Sequence, residues 1–339
     1  MNAIPVLILS GFLGSGKTTL LLRLVHEARS RGLQPAILMN ELGKRDIDGH
    51  LLQQELQGMS IEKLLDGCVC CDKKSEVAGS LEQLALRSPD LIFIELTGVA
   101  NPEEIVDCLT EPALLSKVRL KHIVTVLDAE WTLEYNSIFS TDRQLVDTLR
   151  GQIAVADLLL VNKMDLVPPS RLTKIEKAVR KHNETAPMHY TTQSQIDPEL
   201  LLHGIAHREA VAVNNRASAF SVIRPQQQQR QQPLHPSDSI SASAYTRSYS
   251  RLVTMTLPVT GLLSAKSVEK FLKSIGTGLL RAKGYLRIQQ EASVQLLQMA
   301  GGRFNWQTTA YTGDHYLVLI GLELSEAQIR DMWQRLTLD

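Results

Sequence analysis

The segment Gly11-Phe12-Leu13-Gly14-Ser15-Gly16-Lys17-Thr18 constrains this chain more than any other. It fits the pattern G-x-x-x-x-G-K-[ST] in full and lies between the apolar run Val6–Ser10 and the helix-forming run Thr18–Ser30. A loop of this kind wraps a phosphate with its backbone N–H groups, and Gly11, Gly14 and Gly16 give it the freedom to do so. The helix beginning near Lys17 directs its positive end at the same anion, to which Lys17 adds a charge. Thr18 supplies a hydroxyl for Mg²⁺, and Ser15 and Thr19 complete the expected phosphate-binding set.

The first two hundred residues alternate short apolar runs with amphipathic stretches, the pattern of a parallel sheet covered by helices. Strands are predicted at Val6–Ser10, Ala36–Asn40, Leu91–Glu95, His122–Asp128 and Ala156–Asn162, with a weaker one at Met188–Thr191. Helices are predicted at Thr18–Ser30, Glu103–Leu109, Asp142–Ile153 and Pro169–His182. The glutamine- and serine-rich stretch Arg224–Ser250 cannot bury enough apolar surface to order itself and reads as a linker or insert. Beyond it, strands are predicted at Arg251–Pro258, Tyr285–Ile288, Val294–Met299 and Tyr316–Leu322, and helices at Ser264–Ser274 and Ser325–Leu336. At 339 residues the chain is long for a single core. The reading is therefore an α/β P-loop NTPase domain over residues 1–205, with a mostly parallel sheet covered by helices. A linker over 206–250 and a smaller α+β domain over 251–339 follow it.

Composition narrows the function. Lysine plus arginine equals aspartate plus glutamate, 36 each, which leaves no global field to hold nucleic acid or an anionic membrane. No apolar run is long enough to span a bilayer, and the opening Met1-Asn2-Ala3 lacks a basic leader, so a cytoplasmic location is expected.

Two further segments belong with the phosphate loop. Asn162-Lys163-Met164-Asp165 follows the apolar run Leu158–Val161, where an N-K-x-D element sets a carboxylate against the N1 and N2 edge of guanine. Adenine lacks that pair of donors, so the element predicts GTP over ATP. Glu95, at the end of the run Leu91–Glu95, is placed to hold a water of the Mg²⁺ shell. Gly98, three positions on, has an amide suited to sensing a γ-phosphate, which makes Leu96–Asn101 a candidate switch.

Three of the four cysteines fall together, as Cys68, Cys70 and Cys71. Spacing alone supports metal binding and reduced structural or redox thiols about equally, because Zn²⁺ needs three or four ligands. A further ligand would come from elsewhere, with Glu41 a candidate. Cys108 sits in an apolar run and reads as a core thiol, and His122 as a structural histidine.

In order along the chain, the segments Gly11–Thr19, Asn40-Glu41-Leu42-Gly43, Cys68-Val69-Cys70-Cys71, Glu95-Leu96-Thr97-Gly98, Thr125–Ala129, and Gln152–Asp157 leading into Asn162–Asp165 resemble the CobW-type metallochaperone GTPases. The resemblance implies a G domain with a smaller C-terminal domain, GTP hydrolysis with Mg²⁺, and a CxCC site for Zn²⁺ and sometimes Co²⁺. By carry-over Cys68, Cys70 and Cys71 are metal-site residues and Glu41 a possible neighbour. This chain departs from the family pattern at Lys44, at Asp72-Lys73-Lys74, and in a linker rich in glutamine with the single His235. The function read from the sequence is a GTP-hydrolysing metallochaperone that serves a client apo-metalloprotein. Catalysis would fall to Lys17, Thr18, Glu95 and Gly98, and nucleotide binding to Gly11–Thr19 with Asn162, Lys163 and Asp165. The rival reading is a nucleotide-dependent metal sensor or partner-binding switch. A P-loop kinase is disfavoured by the guanine element.

Overall fold

The structure is a computed structural model that describes residues 3–39, 60–63, 71–136, 143–208, 252–276, 278–300 and 302–338, with the side chains at 60–63, 71–75, 143, 144 and 338 outside the description. Glu41, Cys68, Cys70 and the linker segment 209–251 therefore lie outside the described residues, as does the side chain of Cys71.

The first half runs β1 (Ile4–Ser10), α1 (Lys17–Ser30), β2 (Pro35–Met39), β3 (Ser60–Lys63), α2 (Cys71–Leu86), β4 (Leu91–Glu95), α3 (Pro102–Leu109) and β5 (Val118–Asp128). It continues through α4 (Thr132–Tyr135), α5 (Arg143–Ala154), β6 (Leu158–Asn162), α6 (Pro169–Arg180), β7 (Met188–Thr191) and α7 (Glu199–Leu202). Seven strands form one sheet in the order β3-β2-β4-β1-β5-β6-β7, every neighbouring pair parallel. Because successive side chains of a strand point to opposite faces, β1 divides its apolar residues between two cores. Val6 and Ile8 pack with Val77, Leu81 and Leu84 of α2 and Ile105 and Val106 of α3. Leu7 and Leu9 pack with Leu20, Leu21 and Leu24 of α1. Burial on both faces accounts for the unbroken apolar runs of β1, β4 and β6.

The second half runs β8 (Leu252–Pro258), β9 (Leu262–Leu263), α8 (Ala265–Ile275), β10 (Leu279–Ile288), β11 (Gln295–Ala300), β12 (Arg303–Thr308), β13 (Tyr316–Leu322) and α9 (Glu326–Leu338). Its sheet is ordered β12-β11-β10-β13-β8 with antiparallel pairs, and β9 adds to β10 in parallel. One face, with Met255, Leu257, Leu317 and Leu319, packs on Phe271 of α8 and Trp333 of α9. From the other face Leu252, Tyr316, Val318 and Ile320 join the core that holds α3. Arg281 and Asp107 (3.4 Å), with Lys283 and Glu111, form ion pairs across the same contact.

The structure adds elements beyond those predicted, chiefly α2, the short β3 and the edge strand β12. It also extends two strands toward their N-termini, β5 to Val118 and β10 to Leu279. Cys108 is buried in the core, as expected of a core thiol.

Candidate nucleotide site

Parallel pairing sends every strand of the first sheet in one direction, so their C-terminal ends share an edge, and that edge is where ligands bind in open α/β sheets. Register brings Leu9 beside Glu95, Asp128 beside Asn162, and Asn162 beside Thr191. Residues far apart in sequence thus converge on the loop that leaves β1.

That loop turns through Gly11, Gly14 and Gly16, all at positive φ, and opens directly into α1. Gly16 caps the helix at φ 108°, and a Cβ there would stand 2.4 Å from Asn162 Nδ2 and 2.7 Å from Ser194 Oγ. Only glycine lets the segments that carry Asn162 and Ser194 come so close. Lys17 is buried and donates through Nζ to the carbonyls of Gly11 (2.7 Å) and Phe12 (2.8 Å). Burial pushes its ammonium down to about 8, with the Glu95 carboxylate pulling part of the way back. Thr18 Oγ1 donates to Glu95 Oε1 at 2.6 Å. Burial raises the pKa of Glu95, against the opposing effects of the Thr18 hydroxyl and the Lys17 charge. Glu95 Oε2 and the hydroxyls of Ser10 and Ser15 are buried without a hydrogen-bond partner among the described residues. Thr19 is exposed.

Gly98 lies hard against the phosphate loop, since a Cβ added to it would stand 2.5 Å from Leu13 N. The loop 96–101 that carries it ends at Asn101, whose side chain accepts from Glu103 N at 3.0 Å and caps α3.

Asn162 joins the two halves of the site. Its Nδ2 donates to Ser15 O (2.8 Å), while its Oδ1 accepts from Ser194 N (2.7 Å) and Thr191 Oγ1 (3.2 Å). Lys163, at φ 61°, pairs with Asp128 at 2.6 Å. Asp165 is exposed and accepts from Thr192 Oγ1 at 2.9 Å. Among the described residues no group of three His, Cys, Asp or Glu side chains gathers to hold a metal ion. The thiol cluster expected for that task lies outside them, Cys71 entering only as the first residue of α2.

A strand–loop–helix cradle that meets an N-K-x-D segment suits a nucleotide. The sequence profile of the CobW/HypB/UreG nucleotide-binding domain matches residues 5–190, and that of the cobalamin synthesis protein cobW C-terminal domain matches 252–337. The chain belongs to the CobW/HypB/UreG family.

This CobW-family chain is 27% identical to the zinc chaperone YjiA of Escherichia coli, over 97% of its own length and 98% of that protein's. It is 34% identical to the zinc-regulated GTPase metalloprotein activator 1 of Schizosaccharomyces pombe, over 58% of the chain and 48% of that longer relative, about half its length. A crystal structure of Zn(II)-bound YjiA from E. coli superposes with a TM-score of 0.46 at 21% identity, covering 99% of each chain.

Three residues of this CobW-family site had no role read for them in the sequence, although Gln152 opens one of the segments that resemble the family. Thr192 and Ser194 lie on a loop after β7 in which Gln193 and Ser194 take positive φ, at 52° and 54°. The signal for it was the polar run Thr191-Thr192-Gln193-Ser194 at the end of a strand. Gln152 is the third, fully buried in the last turn of α5, with Nε2 donating to Gly98 O (3.2 Å) and Ala100 O (2.9 Å).

Proposed function

We propose that this chain binds GTP with Mg²⁺ and hydrolyses it. We also infer that it carries a transition metal, zinc first and cobalt second, to a client apo-metalloprotein. The observation that carries the nucleotide part is Asn162, one side chain bonded to both Ser15 O and Ser194 N. It holds a guanine-reading segment against a phosphate cradle. From there Asp165 accepts the N1 and N2 hydrogens of guanine, which adenine does not offer.

The unpaired atoms support the rest. A buried acceptor without a partner costs about 1–3 kcal/mol, so Glu95 Oε2 favours a ligand that brings donors. Thr18 Oγ1 and Glu95 would hold a hydrated Mg²⁺, whose bound waters are such donors. When bound, Mg²⁺ neutralises charge on the β- and γ-oxygens. Lys17, satisfied here by two carbonyls, turns to the phosphates, whose charge favours its ammonium. In hydrolysis the oxygen of water bonds to the γ-phosphorus, and the bond from that phosphorus to the β–γ bridging oxygen breaks. GDP takes the electron pair, the protons of the water leave with the inorganic phosphate, and the Gly98 amide registers whether the γ-phosphate is present.

For the cargo, the family resemblance points to Cys68, Cys70 and Cys71 with Glu41, and the names of the zinc chaperone and metalloprotein activator relatives support zinc. Ligands on segments ordered by a γ-phosphate would make metal affinity depend on the nucleotide, a reciprocal coupling. Zinc titration against a chromophoric competitor tests this, on the wild type and Cys70→Ser, with GDP or a non-hydrolysable GTP analogue. The expected result is a several-fold difference between the two nucleotides that the serine variant loses. Affinity indifferent to nucleotide, or to the serine, contradicts it. Zinc that binds this way but never passes to an apo-metalloenzyme would favour a sensor.

A further inference from the structure

The fully buried side chain of Gln152 meets the loop 96–101 with only half of its amide. Nε2 donates to the carbonyls of Gly98 and Ala100, at 3.2 and 2.9 Å, while Oε1 has no partner among the described residues. Two facing carbonyls decide which end of the amide is nitrogen, because oxygen there would oppose oxygen. The residue is itself anchored, since its backbone carbonyl accepts from Thr125 Oγ1 of β5 at 2.8 Å. A rigid point in the core therefore holds the loop between β4 and α3 by its backbone.

The unused oxygen is the informative atom. In a trans peptide the N–H points opposite to the C=O, so the carbonyls held by Gln152 turn the N–H groups of Val99 and Asn101 away from it. Rotation of the 98–99 peptide, through ψ of Gly98 and φ of Val99, reverses the arrangement and presents the Val99 N–H instead. An amide side chain carries a donor and an acceptor, and so holds either orientation. We propose that Gln152 is a positioning residue for the γ-phosphate-sensing loop. Nε2 latches the Gly98 and Ala100 carbonyls in one state, and Oε1 takes a loop N–H in the state that forms around a γ-phosphate. The inference rests on the reading of the chain as a GTPase in which Gly98 senses that phosphate, and it identifies what holds the sensor in each state.

The test compares the full-length wild type with Gln152→Met and Gln152→Glu, by Mg·GDP affinity and by single-turnover GTP hydrolysis between about pH 5.5 and 8. Methionine fills the space without either hydrogen bond, so GDP affinity stays within about threefold while hydrolysis falls about tenfold or more, a typical coupling. Glutamate at this position donates only when protonated. Ionised, it still accepts the loop N–H but opposes the two carbonyls, so hydrolysis by Gln152→Glu is expected to rise relative to wild type as pH rises, the reverse of what mere loosening of the fold by a buried charge produces. If the methionine variant does not fold, the glutamate pH profile decides alone. Wild-type rates and pH profile in the variants, or equal losses of GDP affinity and hydrolysis, overturn the latch. A wild type that binds no GTP or hydrolyses none overturns the GTPase reading beneath it, and the latch with it.

Discussion

Lys17 is the residue at which burial, charge and ligand meet most sharply. Without nucleotide, burial holds its ammonium down to about 8 from the usual value near 10.5. A phosphate favours the charged form and raises the bound-state value. At pH values between the two, the bound protein keeps a proton that the free protein has released, so binding takes one up. GDP affinity is accordingly expected to be flat below about pH 8 and to fall above it, by up to about tenfold per pH unit. Calorimetric titration in buffers of different ionisation enthalpy reads both the affinity and the proton. Affinity that rises with pH would contradict this assignment. The lysine itself was legible because its chemistry is written in a contiguous motif. The roles of Thr192, Ser194 and Gln152 were not, because each acts through a partner about 27 to 178 positions away, and only the register of the sheet brings the pairs together.

At the scale of elements, α3 leads from the Gly98 loop to the second sheet. It is capped by Asn101 at one end, and it carries Asp107, while Glu111 follows two residues beyond Leu109; these acids meet Arg281 and Lys283. Lys283 is largely buried with Glu111, so removing one partner strands a charge. Lys283→Met is expected to lower stability by about 1–2 kcal/mol in urea unfolding, and Glu111→Gln with it to cost less than the sum of the two. Strict additivity would show that the pair is not coupled. Strands buried on both faces were easiest to read, as at Leu91–Glu95 and Tyr316–Leu322, where the predicted and observed bounds agree. Helix α2 escaped because its apolar Val77, Leu81 and Leu84 follow a cysteine- and lysine-rich start that reads as a loop. Strand β12 escaped because an edge strand with only Phe304 and Trp306 apolar carries little period-two signal.

At the scale of the molecule, seven parallel strands among the described residues deliver the phosphate loop, Glu95, Asp128, Asn162 and Thr191 to one edge. A second, antiparallel sheet packs through α3 on the same body. Among the described residues no helix is long and apolar enough to cross a membrane. That architecture followed from the alternation of apolar and amphipathic runs, which depends on local periodicity alone. The convergence of loops on the edge did not, because it depends on strand order, which no local pattern encodes. The central claim is that this edge selects guanine and binds it as a Mg²⁺-dependent triphosphate. Equilibrium titration with GTP and ATP, with and without Mg²⁺, on wild type and Asp165→Ala, measures it most directly. GTP is expected to bind about a hundredfold or more tighter than ATP in Mg²⁺, and the alanine variant to lose most of that preference. Equal affinity for the two nucleotides, or a preference that survives the loss of Asp165, would contradict it.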